Sequence, residues 1–172
     1  MELKSMVREI TDFPKEGISF KDITTVLKDG QAFRYSIQTM ADYYRPKRPE
    51  IVVGVESRGF LIGAPLAYEL GVGFVLIRKP GKLPAETEHV EYELEYGTDA
   101  LEIHRDAISP GTKVLMVDDL LATGGTIKAA AKLVERLQGD IIGFGFLIEL
   151  MYLEGRKQLS GYDVLSLVKY ES

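Results

Sequence analysis

Apolar and polar positions recur with more than one period along this chain, and each change of period marks an element. Leu3 to Ile10 carries apolar residues at helical spacing and predicts a short amphipathic helix, closed by the turn Asp12-Phe13-Pro14. Gln31 to Tyr44 repeats that spacing over a longer run and ends before Pro46, which predicts a second helix. Ile51 to Val55, IVVGV, is a continuous apolar run instead, the mark of a strand covered on both faces. Gly59 to Leu70 reads as the following helix with Gly71 as its stop, and Gly73 to Arg78 as another buried strand. From Lys79 to His89 the segment KPGKLPAETEH mixes charges with two prolines and a glycine, so a long exposed loop is expected. Next, VEYELEYG alternates apolar and acidic positions and pairs on paper with Ala100 to His104 as a hairpin. Lys113 to Val117 and Ile141 to Leu150 read as strands around a helix from Thr126 to Leu137, and Tyr162 to Tyr170 as a terminal strand. Strands alternating with helices give an α/β fold, a mostly parallel twisted sheet flanked by helices on both faces. No repeat and no long linker divides it, so residues 1–172 are expected to form one domain.

In such sheets ligands sit beyond the carboxyl ends of the strands, where the strand order reverses. Three segments are predicted to end there: Glu56-Ser57-Arg58-Gly59, Arg78-Lys79-Pro80-Gly81 and Asp118 to Thr126. The third, inside VLMVDDLLATGGT, is the most informative. Asp118 and Asp119 repel each other and gain nothing from the core, so a stability argument does not explain them. Ala122, Thr123, Gly124, Gly125 and Thr126 precede a helix, where backbone N–H groups converge on an anion and the glycines let it approach. The stretch GxxxxGK[ST] is absent, and Gly143-Phe-Gly-Phe lacks the third glycine of a dinucleotide fingerprint and lies inside a strand. The two carboxylates behind the loop suit a pair of sugar hydroxyls or a site near a magnesium ion. Acid pair and phosphate loop together describe a ribose 5-phosphate site.

Composition narrows the classes. The chain has 172 residues, 45% of them hydrophobic and 27% charged, and no cysteine, which removes disulfides, thiolate zinc sites and cysteine nucleophiles. The net charge of −5 argues against a general nucleic-acid binder. The N-terminal run MELKSMVREITDFP lacks the apolar core of a signal peptide, and no run approaches the roughly 20 apolar residues of a membrane helix; a cytoplasmic enzyme is expected. Each signal has a plainer reading when taken alone. A small-residue loop before a helix is commonly a capped turn, Arg58 a surface cation, Lys79 and Lys82 a solvated loop face, and Glu93 and Glu95 the wet side of a hairpin. His89 and His104 read as surface residues. Convergence on one sheet edge is what favours the sharper reading.

VLMVDDLLATGGT resembles the 5-phosphoribosyl diphosphate (PRPP) signature of the type I phosphoribosyltransferases. Asp12-Phe13-Pro14 with Gly17 to Ile23, Val55 to Phe60, Arg78 to Pro84, and Tyr92 to Gly97 further resemble the adenine phosphoribosyltransferases, over nearly the whole chain. Glu16 departs from that pattern, standing where the family usually carries proline, which loosens the turn. The resemblance implies transfer of the phosphoribosyl group of PRPP to N9 of adenine, giving AMP and diphosphate in purine salvage. It implies Mg2+ held mainly by the diphosphate and water, with no direct protein ligand, and a homodimer. Ser57, Arg58, Lys79 and Lys82 would bind the diphosphate, and Asp118, Asp119 and Ala122 to Thr126 the ribose 5-phosphate. Phe20, with Leu120 opposite, would pack on adenine, and the backbone around Phe13 and Ile18 would read its edge. Glu95 and Arg58 would be the catalytic groups, Glu95 near N7. Residues 1–30 would cover the base, and residues 79–97 would form a mobile lid that excludes water. The readings left beside this are transfer to hypoxanthine, guanine or xanthine, and a purine- or PRPP-sensing regulator without turnover.

Overall fold

The double-sided apolar runs become the middle of one parallel sheet, and the amphipathic runs cover it. The computed structural model of the protein describes residues 1–94 and 96–172. A 3-10 turn (Leu3–Met6) leads into a hairpin of β1 (Arg8–Thr11) and β2 (Ser19–Asp22), followed by one helical turn, α1 (Thr24–Leu27), and helix α2 (Gly30–Tyr44). Then come β3 (Ile51–Val55), α3 (Arg58–Leu70), β4 (Gly73–Ile77) and a second hairpin, β5 (Thr87–Glu93) and β6 (Thr98–His104). The chain continues with β7 (Lys113–Leu121), α4 (Gly125–Arg136), β8 (Asp140–Leu150), 3-10 turns over Met151–Leu153 and Gly155–Leu159, and β9 (Val164–Tyr170). The sheet order is β4-β3-β7-β8-β9, and every pairing in it is parallel. Sequence order therefore reverses between β3 and β7, and the crevice at their carboxyl ends is the place for a ligand.

Alternation along β7 divides the core. Leu115 and Val117 pack with Ile62 and Leu66 of α3 and Met40 and Tyr44 of α2, while Val114 and Met116 pack with α4 and with Val90, Leu101 and Ile103 of the second hairpin. Asp29 starts α2 by accepting the N–H groups of Gln31 and Ala32, both at 3.0 Å. The glycines of Gly143-Phe-Gly-Phe serve packing, since a Cβ at Gly143 would enter the Tyr44 ring and one at Gly145 would lie 2.6 Å from Met40 Sδ. Tyr44 is locked there by its hydroxyl, which donates to the Phe144 carbonyl at 2.6 Å.

Three expectations change. Leu3 to Ile10 is not a helix: after one 3-10 turn, which buries Leu3, the chain extends as β1 and pairs antiparallel with β2. Its charges are matched across that pairing, Arg8 to Asp22 at 2.5 Å and Glu9 to Lys21 at 3.3 Å, and the partner strand lies beyond a turn that local periodicity does not reach. The exposed loop after β4 ends earlier than His89, because Thr87 already pairs with His104. Finally, β7 does not stop at Val117 but carries Asp118 to Leu121 along β8, with Asp118 opposite Phe146 and Leu121 opposite Glu149.

Candidate active site

Strand lengths create the opening. β3 pairs with β7 only as far as Gly54 opposite Val117, so Asp118 and Asp119 extend past their neighbour on that side. Chain turns away there through Glu56 and Ser57 into the first turn of α3, and the Glu56–Ser57 peptide is cis. Arg58 faces the acid pair: its Nε donates to Asp119 Oδ2 at 2.7 Å. Asp119 is 6% exposed, and Asp118 accepts the Asp119 N–H at 2.9 Å. Burial, and then the neighbouring Asp119 charge, push the Asp118 carboxyl well above the usual carboxylate range, while Arg58 pulls it down. An acid pair in this state accepts hydrogen bonds and welcomes further positive charge.

Beyond it the loop closes on itself. Gly124 has φ 88° and forms the N-cap of α4, offering no side chain to the first-turn N–H groups. That end of the helix borders a cavity of about 150 Å³ lined by Arg58 and by Asp118 to Ile127. Its size and donors suit a phosphorylated sugar end rather than a ring system. Ala122, Thr123, Gly124, Gly125 and Thr126 are thus gathered as the spacing predicted.

A second cavity, about 410 Å³, lies against the first hairpin and is lined by Phe13, Phe20, Ile23 and Arg58 among others. Phe13 and Phe20 meet edge to face at 5.1 Å between centroids, and the Arg58 guanidinium stands 5.6 Å from the Phe20 ring centre. Arg58 therefore lines both cavities and joins the anionic end to the aromatic end. Leu120 lines the loop cavity, away from the Phe20 cavity. Phe13 and Ile18 spend their N–H groups inside the turn, on the carbonyls of Ile18 at 3.2 Å and Lys15 at 3.3 Å.

The two candidate lysines are engaged elsewhere. Lys82 Nζ lies 2.6 Å from Glu56 Oε2, and Lys79 Nζ is paired with Asp99. Glu56 also accepts from Arg78 Nε at 3.1 Å and from the Lys79 N–H at 2.7 Å. Burial pushes the Glu56 carboxyl up, but Lys82 and the other donors outweigh it and leave it below its ordinary value. Sequence reasoning missed Glu56, Arg78 and Asp99 as members of this cluster, although Glu56 and Arg78 stand within the quoted motifs. It also missed Tyr92, whose hydroxyl is 3.3 Å from Thr126 Oγ1 and ties the second hairpin to the loop. Glu93 is exposed; the candidate Glu95 lies outside the described residues. His89 pairs with Glu102 at 3.1 Å, and His104, half-buried, accepts the Ala85 N–H at 3.3 Å. Among the described residues, no group of three or more His, Cys, Asp or Glu side chains is gathered in a way that would hold a metal ion, and no helix is long and apolar enough to cross a membrane.

Comparison with known proteins identifies the family. The phosphoribosyl transferase domain profile matches residues 24–170. The adenine phosphoribosyltransferase of Thermoanaerobacter sp. (strain X514) is 63% identical over 169 residues, covering 98% of each chain. That of Halothermothrix orenii is 60% identical over 169 residues, 98% of this chain and 99% of the other. The crystal structure of adenine phosphoribosyltransferase from Thermoanaerobacter pseudethanolicus superposes with a TM-score of 0.95 at 62% identity, over 98% of each chain. The Saccharomyces cerevisiae enzyme, complexed with an imino-altritol bisphosphate and adenine, gives 0.92 at 41% identity over 96% of each chain.

Proposed function

The chain belongs to the phosphoribosyl transferase family, and from that premise we infer that it is a pentosyltransferase that moves the 5-phosphoribosyl group of PRPP to N9 of adenine. Its products are AMP and diphosphate, which places it in purine salvage. The observation that carries this is Arg58, which lines both the anionic loop cavity and the aromatic hairpin cavity.

We assign each residue a part in that transfer. Loop residues Ala122 to Thr126 hold the 5-phosphate at the N-terminus of α4, and Asp118 and Asp119 accept from the ribose hydroxyls. As the C1–O bond to diphosphate breaks and the C1–N9 bond forms, the ribose ring gains oxocarbenium character beside this buried acid pair, which stabilises positive charge. Arg58 faces the departing diphosphate and Phe20 covers the purine. Ser57, Lys79 and Lys82 complete the diphosphate site once the lysines exchange Asp99 and Glu56 for substrate oxygens. Glu95 is assigned to N7 of the base, where a proton shared with its carboxyl would match N9 to its role as nucleophile. Residues 79–97 act as the lid, residues 1–30 cover the base, and the whole is one domain.

Magnesium fits this site as an ion that arrives with the diphosphate. Asp118 and Asp119 offer hard oxygen acceptors, with Arg58 2.7 Å from Asp119, and they would reach the ion through water. When bound, it supplies charge neutralisation for the leaving diphosphate. We place the enzyme in the cytoplasm, as a homodimer.

A base-specificity assay tests the assignment. Protein, PRPP and magnesium are combined in turn with adenine, hypoxanthine, guanine and xanthine, and nucleotide and diphosphate are followed. AMP formation with the other bases left largely untouched is expected. Transfer to an oxopurine would overturn the base half alone, and binding of PRPP without turnover would overturn the assignment as an enzyme.

A further inference from the structure

We propose that Arg156 and Gly155 are positioning residues for PRPP: they brace the 5-phosphate loop from behind through a buried carboxylate, Glu149. This rests on the assignment of Ala122 to Thr126 as the 5-phosphate cradle. β8 carries Glu149 directly opposite Leu121, the last residue of β7 before the loop. Glu149 is 2% exposed, an expensive place for a charge unless it is fully paired. It is paired three times over. Its Oε1 accepts Arg156 Nη2 at 2.7 Å and Ser166 Oγ at 2.8 Å, and its Oε2 accepts Arg156 Nε at 3.2 Å. Arg156 Nη1 then donates to the Val164 carbonyl at 3.1 Å, so one guanidinium is fixed to both β8 and β9.

What this clamp fixes is the backbone next to it. The Gly155–Leu159 turn lies directly against the loop, main chain to main chain. A Cβ at Gly155 would run into the Ala122 carbonyl oxygen, and one at Gly124 would stand 2.7 Å from the Gly155 carbonyl oxygen and 2.9 Å from Gln158 Cγ. Neither Gly155 nor Arg156 lines the loop cavity, so neither touches a phosphate held there. Their influence passes through the position of Ala122 and Gly124, whose neighbours present the N–H groups. Convergent donors are sensitive to placement, because a shift well under 1 Å weakens each of their hydrogen bonds at once. The hairpin cavity, lined by residues from the first hairpin, α1 and Arg58, shares no wall with this brace. The effect should therefore be confined to one substrate.

The test uses Arg156→Met, which keeps the aliphatic stem, and Gly155→Ala, which leaves the ion pair intact and pushes on Ala122 directly. Each variant is measured for KM with PRPP, KM with adenine, kcat and thermal stability, beside Arg156→Lys. KM for PRPP is expected to rise by about tenfold or more in both, with KM for adenine within about twofold, and Arg156→Lys to recover part of the loss. Should Arg156→Met fail to fold, Gly155→Ala gives the same reading alone. Equal rises in both KM values, or a lowered melting temperature with both unchanged, overturn the proposal. If wild type does not turn over adenine, the assignment of activity fails, and the brace is judged by thermal protection with ribose 5-phosphate. Protection of wild type but not of the variants supports it; equal protection, or none in wild type, overturns it.

Discussion

Replacing Arg58 with glutamine removes the one side chain among the described residues that lines both cavities, and the loss can be worked from its contacts. Its hydrogen bond to the buried Asp119 is 2.7 Å long and charge-assisted, a class worth about 1.5–3 kcal/mol. Stacking over Phe20 at 5.6 Å adds roughly 0.5–1 kcal/mol. The Arg58 side chain is 53% exposed, so solvent screening favours the lower half of that sum. Were the positioning energy of these contacts expressed in full at the transition state, about 2–3 kcal/mol would correspond to a fall in kcat/KM of roughly 30- to 150-fold. Because both cavities lose a wall, the fall should be seen with adenine varied and with PRPP varied. The acid limb of the pH–rate profile should also move to higher pH, since Arg58 opposes the burial that holds the Asp118 carboxyl up. Steady-state kinetics from pH 5 to 9 on Arg58→Gln, beside Arg58→Lys, decide the matter. A fall of less than about threefold with adenine varied would refute the role of Arg58 as the shared wall.

Tyr92→Phe keeps the ring and loses the hydroxyl near Thr126, so KM for PRPP should rise by about 2- to 10-fold with little change in kcat, as one neutral hydrogen bond is worth. An unchanged KM in steady-state assays would mean that the contact does not bear on the cradle. A second outcome concerns stability against pH. The Thr24 hydroxyl and N–H, with Arg8, hold the Asp22 carboxyl down at about 2, below its ordinary value. The stabilisation is thus present above about pH 4 and lost as pH falls towards 2, so urea midpoints of wild type and Asp22→Asn should converge on acidification. Parallel profiles would contradict it.

Legibility in the sequence depended on whether a signal was local. Ile51–Val55 was readable to the residue because burial on both faces leaves an unbroken apolar run, and Gly71 ends α3 as a left-handed cap with φ 71°. The loop Ala122 to Thr126 was readable because glycines, threonines and acids stand together there. Leu3 to Ile10 misled, since its helical spacing is real but Asp22 and Lys21, which draw Arg8 and Glu9 into a strand, come after a turn. The overhang of β7 was hidden because its extent is set by β8, a separate segment. Glu56 illustrates the limit best: its partners Arg78, Lys79 and Lys82 lie 22 to 26 residues away in sequence, and only the crossover from β3 to β4 brings them to it.

That crossover has a consequence for which anions the site admits. Glu56 and Asp99 act as resident counterions for Lys82 and Lys79, so neither lysine is presented bare to whatever phosphate or sulfate is abundant nearby. A small anion gains too little to displace a carboxylate already seated at 2.6 Å. On the proposed assignment, a diphosphate with several charges would exchange both partners in one event, and the two released carboxylates would be free to take up new donors. On that assignment, selection between a small inorganic anion and a larger polyanion would be made by competition with the protein's own acids, before any shape has been read.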